Sequence, residues 1–346
     1  MDMLSRVGDS LYWMSRYLER AEHSARVLDV YLSQQLEEYS GDPDRRWQSV
    51  VDGLGLHAPA ELTESDVGYW LAFDIANRSS IVSCIMNARD NARQVREQIS
   101  SEMWEHLNRL FHRVRTASLE EAQRPVAAPN SSRILPSPPA ATESVLREST
   151  KTWSADHHEF LREVKEGAHL FQGITDSTMN HGEGWQFIQL GRFIERAVSV
   201  SKLIDVHFRD HLPASDDEEH HEGIDLLKSC TAFEAYCKVY TAAFKLLRIS
   251  EFLLLNPEFP HSVCFAIDQV EVALKALPQS ADRRLGGKAL RLVGKLKATL
   301  SFSQIDEIMA TGLHLFLEDI DRQCNQIHIA MHQIYIEYPI ETAIEV

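Results

Sequence analysis

Two short runs of this sequence carry the side chains best placed to do chemistry: Arg16-Tyr17-Leu18-Glu19-Arg20-Ala21 and Arg192-Phe193-Ile194-Glu195-Arg196-Ala197. On a helix, residues three and four apart share a face, so Arg16, Glu19, Arg20 and His23 fall on one charged stripe. Leu4, Val7, Leu11, Met14, Leu18, Ala21, Ala25 and Leu28 occupy a second, apolar stripe, and Tyr12, Trp13, Val27 and Tyr31 flank the charges. Such a helix is expected to be buried on both sides. A buried Arg is tolerated only when paired, and Arg192, Glu195 and Arg196 offer a matching second set. If the two helices face each other, four Arg meet two Glu, and two positive charges are left over.

Two readings follow. In the first, the surplus guanidinium groups of Arg16, Arg20, Arg192 and Arg196 hold a carboxylate or phosphate, such as an acidic peptide or small anion. Glu19 or Glu195 then acts as a base or orients an amine. In the second, the cluster is a buried salt-bridge network that fixes how the parts of the chain dock. Arg89, Arg93 and Arg96 form another basic face, which adds anion-binding capacity if it lines the same cavity and is otherwise solvated.

The elements that must position these groups are helical. Apolar residues recur at three- and four-residue spacing through Leu4 to Leu36, Tyr69 to Leu110, Thr152 to Phe171, Gly184 to Asp210, Leu226 to Leu255, Val263 to Leu277, Arg283 to Leu300 and Ile305 to Tyr338. Strand alternation around tight turns is nearly absent. The expected fold is all-α, a helical bundle built from two pseudo-repeated halves. Arg16 to Leu32 aligns without gaps on Arg192 to Phe208, with six of seventeen positions identical. Ser80 and Ser262 each precede an amphipathic run some sixty residues after their motif, where a hydroxyl suits an N-cap. The first half spans about 1–119 and the second about 145–346. Between them, Glu120 to Ser144 gathers five prolines and reads as a surface linker or insertion. The acidic, His-containing run within Leu212 to Gly223 reads as a solvated loop.

Composition narrows the partners. Acidic residues outnumber basic ones 51 to 35, a net charge of −16, so the average field repels nucleic acid and anionic membrane surfaces. The five cysteines are widely spaced, with no Cys-x-x-Cys pair, and fit a reducing cytoplasm. No stretch approaches the roughly 20 apolar residues of a membrane span, and the charged N-terminal turns leave no export signal. His328/His332 and His207/His211 have the i, i+4 spacing of a metal pair but lack the Glu of His-Glu-x-x-His, so no metal is expected. Phosphate-binding and serine-hydrolase signatures are missing, and no cofactor is implied. The basic run from Arg283 to Lys297 is a solvated helix face or a surface for an acidic partner.

The stretch Leu11-Tyr12-Trp13-Met14-Ser15-Arg16-Tyr17-Leu18-Glu19-Arg20-Ala21-Glu22 resembles the opening of the alpha-E family, named for its helical fold and Glu-Arg motif. Ala88 to Arg93, Val95-Arg96-Glu97, Ile99-Ser100 and Trp104-Glu105 are similar to its next block, and Gly184-Trp185, Gly191-Arg192 and Glu195-Arg196-Ala197 to its second motif. The resemblance covers nearly the whole chain. Asn77-Arg78 departs from the family's usual Asn-Pro, and the Pro-rich segment looks inserted. The resemblance implies association with ATP-grasp-type amide ligases and transglutaminase-like peptidases, in systems that make or modify peptides.

Overall fold

The computed structural model describes residues 5–36, 43–123, 141–209, 216–240, 244–278 and 283–335, and every regular element among them is a helix. The helices are α1 (Ser5–Leu36), α2 (Pro43–Gly53), α3 (Glu64–Ala72), α4 (Ile81–Gln94), α5 (Ser101–Gln123), α6 (Ala141–Thr178) and α7 (Glu183–Arg209). They continue as α8 (Asp216–Ser229), α9 (Phe233–Val239), α10 (Leu246–Leu255), α11 (Val263–Ala276), α12 (Arg283–Phe302), α13 (Ile305–Thr311) and α14 (Leu313–Tyr335). None is long and apolar enough to cross a membrane.

The motif helices α1 and α7 form the centre and pack extensively on each other. As its two apolar flanks require, α1 is buried on opposite sides: Leu11, Tyr12, Met14, Ala21, Ala25 and Leu28 are sealed from solvent. The packing partners run in parallel. α1 lies against α4 and α6, both of which pack on α5, while α7 lies against α11 and α14, both of which pack on α12. The Ser80 and Ser262 side chains cap α4 and α11, accepting from the Ser83 and Phe265 amides at 3.2 and 3.0 Å.

At the α1–α7 crossing the backbones nearly touch. A Cβ at Gly191 would stand 2.2 Å from the Tyr12 carbonyl oxygen, so only glycine fits there. Ser15 Oγ donates back to the Ile188 carbonyl at 2.7 Å. In the gapless alignment Ser15 pairs with Gly191 and Tyr12 with Ile188, so these two contacts exchange when the motif copies are exchanged.

Four expectations need correction: to begin with, the run Leu226 to Leu255 is divided among α8, α9 and α10, with the chain turning at Thr231, whose φ is +56°. The run Tyr69 to Leu110 is divided among α3, α4 and α5. It breaks where Asp74 and Asn77 carboxyl and amide oxygens accept the Ala76 and Ser79 amides, and again at Ser100, whose hydroxyl accepts from Met103 N. The acidic run Asp216 to Glu222 opens α8 instead of forming a loop; Glu219 accepts the first free amide of α10, Leu246 N, at 3.1 Å and pairs with Lys245. The last run is interrupted at Gly312, whose φ of +106° separates α13 from α14. Apart from its ends in α5 and α6, the Pro-rich segment lies outside the described residues, as does His211.

Candidate functional site

Because α1 and α7 cross so closely, each motif reaches across to the other. Arg16 Nε and Arg20 Nε donate to the two carboxylate oxygens of Glu195 at 2.7 and 2.6 Å. In the opposite sense, Arg196 Nε donates to Glu19 Oε1 at 2.5 Å, and its other nitrogen reaches the Pro260 carbonyl at 3.0 Å. The pairs Arg20–Glu195 and Arg196–Glu19 are related by exchange of the motif copies. The exchanged partner of Arg16–Glu195 would be Arg192–Glu19, and that contact is not made. Gln172, from α6, donates instead to the free Glu19 oxygen at 3.2 Å.

Arg16 and Arg20 share the single charge of Glu195 and Arg192 has no carboxylate of its own, so the two surplus charges that the residue count anticipates lie at Glu195 and at Arg192. The Arg192 Nε is buried without a hydrogen-bond partner, and its guanidinium lies 5.1 Å from the Phe193 ring centroid. Burial, reinforced by the neighbouring Arg196 charge, lowers its pKa to about 10. It lines a cleft of about 310 Å³, counting the open mouth, bounded also by Glu19, Gln172 and Asp176.

Glu195 is held as a carboxylate that resists taking up a proton. Burial would raise the Glu195 pKa, but the Arg16 and Arg20 guanidinium groups overcome it and hold the carboxyl at about 2. Each Glu195 oxygen already accepts a charged donor, and both Glu19 oxygens are likewise engaged. The Glu195 carboxylate, bound by two guanidinium groups, has little basicity to offer a substrate.

The charged interior continues along α1. Glu22 binds Arg26 and lies 3.4 Å from His169 of α6, while Asp29 binds Lys165 and His158 at 2.5 Å each. Beside Arg16, the Tyr12 hydroxyl accepts from the guanidinium at 3.2 Å, so its own proton points to Nδ1 of His328, 2.8 Å away. Burial first, then Arg16 and His332, lowers the His328 pKa to about 4, which keeps that ring a neutral acceptor. Its sequence spacing suggests a metal pair, but the ring serves an aromatic cluster with Tyr12, Trp13 and His332. Among the described residues, no group of three or more His, Cys, Asp or Glu side chains is arranged to hold a metal ion.

Of the anticipated residues, Arg16, Glu19, Arg20, Arg192, Glu195 and Arg196 come together. Arg89 and Arg93 do not join them: Arg89 bonds Asn108 at 2.8 Å and stacks on Phe111, and Arg93 is exposed at the end of α4. Neither lines the cleft. Gln172 and Asp176 escape sequence reasoning, because nothing in α6 reveals its register against α1. Gln189 was within reach of it, lying three residues before Arg192 on the same face of α7.

Comparison with known proteins agrees with this motif-centred architecture. Uncharacterised proteins of Mycobacterium bovis and Mycobacterium tuberculosis (strain CDC 1551 / Oshkosh) are each 23% identical over 338 residues, and one of Mycobacterium tuberculosis strain H37Rv is 22% identical. Each alignment takes in 91% of this chain, which spans about a third (34%) of the length of those relatives. No solved structure matches. The model of one family, a predicted alpha-helical domain with a conserved ER motif, matches residues 3–336, and with Glu19-Arg20 and Glu195-Arg196 exchanging partners at its centre, the chain belongs to the Alpha-E family.

Proposed function

We propose that this chain is a non-catalytic, partner-binding component of a peptide- or amide-bond-forming or modifying system, working in the cytoplasm with an ATP-grasp-type ligase. In this reading the Glu-Arg motifs are internal struts that fix α1 against α7, and two helical halves present the outer surfaces. The observation that carries it is the saturation of both glutamates: Glu195 accepts from Arg16 and Arg20, and Glu19 from Arg196 and Gln172. The cluster does not leave four guanidinium groups for a substrate. The resemblance to a family associated with such ligases and with transglutaminase-like peptidases supports the context. The length of the relatives, in which a region like this chain is about a third of a longer polypeptide, supports a module that works alongside others. Five free cysteines support a reducing compartment.

The test is a ligase reaction reconstituted with and without this chain, repeated with Glu19→Gln and Glu195→Gln below their melting temperatures. The expected result is full product yield from both folded variants, each with lowered thermal stability. Lost product at unchanged stability would establish the glutamates as reacting groups instead.

A further inference from the structure

The incomplete exchange of pairs leaves one feature that the strut role does not use. Arg16 and Arg192 occupy matching places in the two motifs, yet Arg16 has its carboxylate oxygen and Arg192 has none. The oxygen that would serve Arg192 is turned to Gln172, and the space beside the guanidinium is the cleft. We infer that this cleft is a binding site for a small carboxylate, most simply a peptide C-terminus, whose oxygens take the place at Arg192 that Glu195 takes at Arg16.

The lining selects this chemistry. Arg192 presents a planar donor fork, which matches a carboxylate. The Ser15 and Thr175 hydroxyls already donate to the carbonyls of Ile188 and Phe171, so the remaining side-chain donor on α7 is the Gln189 amide. Arg192 is the one cationic side chain on the walls, with Glu19 and Asp176 beside it. That balance suits a monoanion, and a phosphate dianion would meet repulsion from both carboxylates. Leu18, Phe171 and Ile188 supply an apolar flank for the side chain behind the carboxylate. Asp176, exposed on α6, supplies an acceptor for the N–H that a peptide carries next.

This site does not depend on the ligase partnership, and its test needs only the full chain. Acetyl-glycyl-valine, its C-terminal amide and inorganic phosphate are titrated by calorimetry and by following the Arg Nε–H resonances of nitrogen-labelled protein. The free acid should bind saturably and shift one buried Arg Nε–H signal, which Arg192→Gln removes from the spectrum, and the amide should not. Arg192→Gln should weaken the acid at least tenfold while melting no lower than the parent, since it removes an unpaired buried charge. Lys295→Gln, which deletes the same charge from the exposed face of α12, should leave affinity unchanged. Equal binding of acid and amide, no binding of either at tens of millimolar, undiminished binding by Arg192→Gln, or tighter binding of phosphate than of the acid would each overturn the assignment.

Discussion

Replacing Glu195 with Gln keeps the shape of the side chain and removes the charge that two buried guanidinium groups share. The carboxyl is held at about 2 against an ordinary 4.5. At about 1.4 kcal/mol for each tenfold change in the proton equilibrium, that gap is worth about 3 kcal/mol. The figure agrees with the roughly 3 to 5 kcal/mol lost when one partner of a buried ion pair is deleted. The sign follows from a depressed carboxyl: the contribution is fully present above pH 4.5 and is lost as pH falls toward 2. Urea unfolding at pH 7 should show Glu195→Gln less stable by about 3 kcal/mol, or about 4 °C in melting temperature for a chain of this size. The gap between parent and variant should shrink as the buffer is taken from pH 4.5 to pH 3. A loss below about 1 kcal/mol at pH 7, or a gap that ignores pH, would refute the reasoning.

Gly191→Ala places a methyl group against the Tyr12 carbonyl, so unfolding should show a loss at or above the 1 to 3 kcal/mol typical of overpacking, whereas Gly173→Ala, with nothing within 4 Å, should gain about 0.5 to 1 kcal/mol. The Cys84, Cys230 and Cys324 thiols are buried and pushed up to about 12 by burial, and Cys264 is buried too, so iodoacetamide on the native protein should label Cys237 first, as peptide mass mapping would show. His328 is kept neutral down to about pH 4 when folded but protonates near 6.5 when unfolded, so stability should fall as pH drops from 6.5 to 4, and His328→Gln should flatten that slope in melting curves.

The sequence makes the helices of the centre legible because their burial pattern is local. α1 shows apolar residues on both sides of its charges, and the gapless second copy tells where its partner lies. Residue counting also reveals the excess of Arg over Glu. Which Arg is left over is a tertiary matter: Arg192 is unpaired because Gln172 of α6 takes the Glu19 oxygen, and no pattern within α6 fixes that register. Local turn chemistry explains the other differences. Periodicity runs through Tyr69 to Leu110, but the Asn77 side chain, bonded to Trp70 O and Ser79 N, turns the chain there. The charge of Asp216 to Glu222 suggests a loop, yet Glu219 earns its helical place by capping α10 and pairing with Lys245.

The exchange of partners between α1 and α7 is tested most directly by a double-mutant cycle on Arg20→Met and Glu195→Gln, read by urea unfolding at pH 7. A coupling of at least about 1.5 kcal/mol is expected, because the two side chains meet at 2.6 Å in a buried setting. A coupling within about 0.3 kcal/mol of zero would mean that the two residues do not share an ion pair in solution, and that something other than the motifs holds the central helices together.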